Sequence, residues 1–265
     1  LIGFIFLTFR FLEPIAEFTE IIDQTQTAVA GLRRVLTVLD MPVGPPAPEA
    51  PIPLPAGSLD ILIRAVSFRY PSSEVDVLRD VTVTIPAGQQ VAVVGATGSG
   101  KTTLGRLVAR FADPTTGTIS VGGVDLGSVA PNELRQRLVI VSQEPFLFDD
   151  SIRANIGFAR PSSTMVEIKA VIADLGATDW IDALDDGLDT KVGERGEALS
   201  AGERQLVALI RAGLADPDVL ILDEATSSVD ALTEVRIARA LDRLAAGRTT
   251  IAIAHRLSTA ARADR

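Results

Sequence analysis

The sequence predicts an α/β domain with a largely parallel sheet, preceded by an N-terminal helix. Three observations carry that expectation. From Leu59 onward, short β-rich runs alternate with helix-periodic ones, the pattern of parallel strands joined by helices. The earliest strands are closely set, which adds an antiparallel portion. Prolines at 42, 45, 46, 48, 51, 53 and 55 separate this region from what precedes it, because such density forbids helix and sheet interior alike.

The first apolar run, "LIGFIFLTFR", ends at Arg10 and falls well short of the ~20 residues that span a bilayer. No basic flank or small-residue cleavage site marks it as a signal peptide. It reads as the cut end of a transmembrane helix, against an ordinary amphipathic core helix. Apolar residues then recur at Ile15, Phe18, Ile22, Val29, Leu32, Val35, Leu36 and Leu39, mostly at helical spacing with a polar opposite face. A membrane helix continuing into the cytoplasm has this form. The expected division is 1–40 for that helix and its extension, 41–57 for a Pro-rich linker and 58–265 for the main domain.

Within the main domain, strands are expected near 59–69, 80–85, 90–94, 117–121, 138–142, 218–222 and 249–253. Helices are expected near 101–110, 164–175, 203–215 and 231–245. A chain of 265 residues can bury such a core without covalent staples. It has no cysteine and one histidine, which excludes disulfides, Cys-based metal sites and a His-rich metal site. The net charge of −9 argues against a general nucleic-acid binder, so any anionic ligand must be held by local groups. The mean hydropathy of +0.30 is high, and part of the excess sits at the N-terminus.

One local group is plain. "VAVVGATGSGKTTL" is an apolar strand, then Gly95, Gly98 and Gly100, then Lys101 and Thr102 opening a helix. Glycines let the backbone curl its N–H groups toward a β-phosphate, and the helix N-terminus adds a favourable dipole. Lysine meets the β/γ oxygens, and a threonine hydroxyl coordinates Mg²⁺. A second piece, "DVLILDEATSSVD", delivers Asp223 to the end of a buried strand, where a carboxylate can hold the Mg²⁺ shell. Glu224 follows, directed toward an attacking water. Together they indicate a P-loop nucleotidase. A third piece, "LSAGERQ", looks like another helix start built to offer N–H groups to an anion.

That heptapeptide resembles the signature sequence of the ATP-binding cassette (ABC) family, usually LSGGQ. The rest of 59–265 follows that family's order: Tyr70 in "VSFRYP", the phosphate loop, Gln143 in "VIVSQEPFLF", "VGERG" at 192–196, the signature, Asp223–Glu224, Asp230 in "SSVD" and His255 in "IAIAHRLS". The resemblance implies a RecA-like P-loop NTPase core with an antiparallel β subdomain and a helical signature subdomain. It also implies an Mg²⁺-dependent ATPase whose domains close head to tail, each ATP lying between one copy's phosphate loop and the other's signature. The second helix start is then for the partner's ATP.

Residue by residue, the resemblance implies that Tyr70 stacks on adenine, a core aromatic being the alternative. Gly95, Ala96, Thr97, Gly98, Ser99, Gly100, Lys101, Thr102 and Thr103 hold phosphates, with Lys101 also counted as catalytic. Thr102, Gln143 and Asp223 surround Mg²⁺. Glu224 polarises water, His255 contacts the γ-phosphate, and Gln143 reports nucleotide state. Ser200, Ala201, Gly202 and Asp230 complete the nucleotide contacts. Phe146, Phe148 and "SIRANI" look like docking surface for a membrane domain.

The signature departs from the family at Ala201 and Glu203. Alanine keeps its N–H and is tolerated unless the backbone needs positive φ. Glutamate can cap the helix if it points along it. The family also continues past the histidine loop with further strands and a helix, so 58–265 reads as a domain cut short. The exporter-type "VGERG" and the N-terminal helix indicate an ABC exporter half-transporter, at the cytoplasmic face of the plasma (inner) membrane. Its partners are then its own membrane domain and a second half, identical or different, and no nucleic acid. The alternative is a soluble ABC protein acting on DNA or ribosomes, disfavoured by the N-terminal segment and the acidic balance. A cassette that binds ATP without hydrolysing it would lack Glu224 or His255, and both are present.

Overall fold

The computed structural model describes residues 2–41, 44–71, 73–223, 231–253 and 263–264. Two compact units, Leu1–Pro46 and Ala47–Arg265, make up the chain. The first is built on one helix, α1 (Ile2–Leu39), which runs through Pro14. At 1.5 Å per residue its 38 residues extend about 57 Å. Among the described residues, no helix is long and apolar enough to cross a membrane.

In chain order, the second unit contains strands β1 (Ile61–Phe68), β2 (Leu78–Ile85), β3 (Gln90–Val93), β4 (Thr116–Val121), β5 (Val124–Asp125), β6 (Leu138–Val141), β7 (Val219–Asp223) and β8 (Thr249–Ile253). Its α-helices are α2 (Lys101–Val108), α3 (Pro131–Arg137), α4 (Ile152–Gly157), α5 (Met165–Asp174), α6 (Thr178–Asp182), α7 (Ala201–Ala215) and α8 (Ala231–Ala245). Two four-stranded sheets form, with orders β2-β1-β4-β5 and β3-β8-β7-β6. The first is antiparallel and the second parallel. All seven expected strands and the four expected helices are present. Among the described residues, the additions are the two-residue β5, the short helices α3, α4 and α6, and three single-turn 3-10 helices.

Burial on both faces explains why the parallel strands read as unbroken apolar runs. Along β7, Val219 and Ile221 join Leu104, Leu107 and Val108 of α2, Ile251 and Ile253 of β8, and the inner face of β1. The alternate residues Leu220 and Leu222 join Leu206, Leu209 and Ile210 of α7 with Ile237 and Leu244 of α8. Helices α2 and α7 therefore stand on opposite faces of one sheet, and the sheet lies between them.

Among its described residues, the Pro-rich stretch forms no helix or strand, in keeping with its composition. Its second half is strapped to the main unit. The amide of Ile52 donates to the Ser128 carbonyl at 2.8 Å, and that of Leu54 to Glu133 Oε1 at 2.8 Å. Arg137 Nη2 donates to the Pro55 carbonyl at 3.0 Å while its Nε pairs with Asp218. Leu54 is buried in the same apolar cluster as β1 and β4.

Helix α2 reaches the sheet closely because residue 105 is glycine. A Cβ there would lie 3.0 Å from Ile253 Cδ1 and 3.1 Å from Ile221 Cγ2. Gly105→Val is therefore expected to cost about 1–3 kcal/mol by overpacking, outweighing the ~1 kcal/mol or less that leaving glycine gains in helix propensity. A lowered urea midpoint at unchanged slope is the predicted result, and an unchanged midpoint would mean the interface is looser than described.

Candidate active site

The site is assembled at the C-terminal ends of the parallel strands, where open α/β sheets place ligands. The loop after β3 turns into α2 at Gly100, which caps the helix with φ 92° and ψ 7°. No L side chain fits there comfortably: a Cβ would meet Leu78 Cδ2 at 2.8 Å and the Val77 carbonyl at 3.1 Å. Glycine at the cap also offers no side chain to the opening amides of α2. Those amides and the helix dipole form a place for an anion.

Lys101 is buried at 7% exposure, and its ammonium donates to the carbonyls of Gly95 at 2.9 Å and Ala96 at 3.0 Å. The loop thus closes around its own positive charge. Next to it, Thr102 Oγ1 donates to Asp223 Oδ1 at 3.1 Å. A hydroxyl and a carboxylate from two separate elements, brought within one hydrogen bond, are the hard oxygen donors that Mg²⁺ takes. Gln143 lies exposed in the segment after β6. Among the described residues no cluster of three or more His, Cys, Asp or Glu side chains forms a metal site.

Tyr70 is half-buried beside this loop. Its ring packs edge-on against Phe68, centroids 4.9 Å apart, and its hydroxyl shares a 3.1 Å hydrogen bond with Thr103 Oγ1. The aromatic picked out by sequence is therefore joined directly to the phosphate-loop helix. Glu224, Asp230 and His255, also singled out, lie outside the described residues.

The second helix start is built differently. Ser200 is the N-cap of α7, and its hydroxyl accepts the Glu203 amide at 3.3 Å. Glu203 Oε2 in turn accepts the Ser200 amide at 2.8 Å, completing a capping box. Glu203 Oε1 accepts from Trp180 Nε1 at 3.1 Å. The departure at Glu203 thus gives a capping residue. Ala201 begins the helix outside the positive-φ region, so alanine keeps its N–H without strain.

Sequence reasoning missed the network that holds the segment after Gln143. Asn155 is fully buried; its Oδ1 accepts the Phe148 amide at 2.8 Å, and its Nδ2 donates to the carbonyls of Phe148 and Ser151 at 3.0 Å each. Arg211, from α7, donates to the Asn155 carbonyl at 2.8 Å, to Asn155 Oδ1 at 3.0 Å and to the Phe146 carbonyl at 3.0 Å. Burial lowers the Arg211 pKa from its ordinary value. The available signal was an arginine inside the apolar run "LVALIRAGLA". Around this network Phe146 meets Phe148 edge-on and Phe148 meets Phe158 at a tilt, centroids 5.1 and 4.6 Å apart, and the three rings edge a groove of about 360 Å³.

Residues 78–227 match a family model described as ABC transporter. The chain belongs to that family. It is 42% identical over 254 residues to a multidrug efflux ATP-binding/permease protein of Mycobacterium bovis, covering 95% of this chain and 21% of that protein. It is 41% identical over 268 residues to an ATP-dependent lipid A-core flippase of Alkalilimnicola ehrlichii, covering 100% of this chain and 45% of that protein. Among solved structures, a bacterial Atm1-family ABC exporter with ATP bound superposes with a TM-score of 0.80 at 37% identity, over 92% of this chain and 42% of the other. The chain spans less than half the length of each of these ABC relatives.

Arg211→Lys tests the network in this ABC cassette. One ammonium cannot span three acceptors that a planar fork reaches together. The expected cost is about 2 kcal/mol, with faster amide hydrogen exchange at Phe148; unchanged exchange there would contradict the role given to Arg211.

Proposed function

We propose that this chain is the ATP-binding and ATP-hydrolysing part of an ABC exporter, in which two cassettes close over ATP to drive substrate across a membrane. The observation that carries this reading is the pair of amide-bearing helix starts, α2 and α7, set on opposite faces of one parallel sheet. Two such starts on opposite faces suit two different nucleotides, one bound by the copy's own phosphate loop and one by its partner's. The permease, flippase and exporter named among its relatives favour this reading over a soluble cassette acting on DNA or ribosomes.

In this reading the loop amides from Gly95 to Thr103 and the Lys101 ammonium hold the β- and γ-phosphates, which requires the ammonium to exchange its loop carbonyls for phosphate oxygens. Thr102 and Asp223, with Gln143, hold Mg²⁺, which supplies charge neutralisation at the phosphates. Tyr70 offers a face to adenine, and its bond to Thr103 ties base recognition to phosphate recognition. Glu224 takes the water, His255 the γ-phosphate, and Asp230 joins the nucleotide contacts. Ser200, Ala201 and Gly202 meet the γ-phosphate of the second copy's nucleotide, so closure depends on that phosphate and hydrolysis releases it.

The same reading places the cassette at the cytoplasmic face of the plasma (inner) membrane, with α1 as the end of the last membrane helix and its cytoplasmic extension. The partner is a second half-transporter, and the aromatic-edged groove at Phe146, Phe148 and Phe158 receives the membrane domain.

The test is Glu224→Gln in the intact protein. Nucleotide binding is expected to persist while turnover is lost, with ATP retained in a closed dimer; hydrolysis at the unaltered rate would remove Glu224 from the chemistry. Tyr70→Ala is expected to weaken ATP binding by about 1–3 kcal/mol, the worth of stacking one base on an aromatic. Equal affinity would make Tyr70 a packing residue only.

A further inference from the structure

Trp180 is the only tryptophan in the chain. It stands on α6 with its ring buried at 4% exposure, and its indole N–H donates to Glu203 Oε1 at 3.1 Å. The other oxygen of the same carboxylate accepts the Ser200 amide at 2.8 Å. Two N–H donors from different elements therefore converge on one side chain, one at each oxygen. A capping box alone fixes the first turn of α7 internally. The indole bond ties that box to α6, 23 positions away in sequence.

The donors also dictate the chemistry of residue 203. A carboxylate accepts on both sides, whereas an amide of the same shape accepts at one oxygen and turns an NH₂ toward the other donor. With glutamine at 203, the amide oxygen can serve the part-buried Trp180 N–H or the exposed Ser200 N–H but not both, so one of the two bonds that hold the turn is lost.

We propose that Trp180 and Glu203 are a positioning pair for the signature turn, holding the Ser200–Gly202 amides in place for the second copy's nucleotide, and that the indole N–H together with the Ser200 N–H is what favours a carboxylate at 203. The proposal rests on the reading that this turn meets a partner's nucleotide. Neither side chain of the pair contacts nucleotide; both act through Ser200 and the amides it caps.

The experiment compares Trp180→Phe, Glu203→Gln and the double variant in the intact protein. ATP turnover is measured alongside the affinity of a fluorescent ADP analogue, which lacks the γ-phosphate and so reports the phosphate loop alone. Glu203→Gln is expected to lower kcat roughly three- to ten-fold, the loss of one of the two bonds that hold the turn, with analogue affinity unchanged. Adding Trp180→Phe should recover most of that loss, because phenylalanine keeps the ring and removes the donor that the amide cannot serve. A general weakening of the fold would instead make the two losses multiply. Glu203→Gln turning over like the unaltered protein, or multiplicative losses in the double variant, would overturn the pair. Dimer closure by the Glu224→Gln protein separates the two levels: with closure intact such a result overturns the pair alone, and without closure the trans reading falls and the proposal with it.

Discussion

The hydrogen bond from Thr102 to Asp223 joins the two elements on which the rest of the site is built. Thr102 can be there only because Gly100 takes a left-handed conformation that starts α2 directly beneath the loop, and because Gly105 lets that helix approach β7 and β8. Asp223 can be there only because β7 is held between β6 and β8 in parallel register and buried on both faces, so that its last residue emerges at the sheet's C-terminal end. Tyr70 then reaches the same helix through Thr103, the next residue along. Loop, helix, strand end and aromatic thus share one short span of α2.

A chain of net charge −9 that binds a triphosphate must do so with fixed local dipoles rather than a basic field. It has three lysines in all, and one of them, Lys101, is enclosed by the loop. The other contributions come from helix N-termini. At α2 the cap is a glycine, which offers no side chain to the amides; at α7 the cap is a serine bonded to Glu203, which fixes the turn. Helix α7 carries a second constraint lower down, where Arg211 and Asn155 hold the segment between Phe146 and Phe148. One helix therefore bears both the signature turn and the support of the segment that follows Gln143.

How much of this was legible from the sequence depends on the range over which each interaction acts. The phosphate loop was legible because its glycines, lysine and threonine do their work within a few consecutive residues. The capping role of Glu203 was also legible, since a box between Ser200 and Glu203 spans three positions. Its bond to Trp180 was not, because the indole comes from another helix and no spacing rule links the two. Arg211 and Asn155 are 56 positions apart and meet partly through the Asn155 carbonyl, which any sequence would supply, and partly through its Oδ1, with no spacing rule to link them. Helices α3, α4 and α6 have five to seven residues, under two turns each, too short for apolar periodicity to declare itself. The strap at Ile52 to Pro55 was hidden for a similar reason: proline density forbids regular structure but does not forbid docking through the few amides that remain.

The central claim is that the turn at Ser200 serves another copy's nucleotide. Mixing two altered copies tests it most directly, one carrying Lys101→Ala and the other Ser200→Arg, both with Glu224→Gln so that bound ATP is retained. If the signature acts across the dimer, the mixed pair contains one composite site with both defects and one with neither, and it retains ATP where each copy alone does not. If the mixed pair retains no more ATP than the separate copies, the turn serves its own chain's nucleotide and the account is wrong.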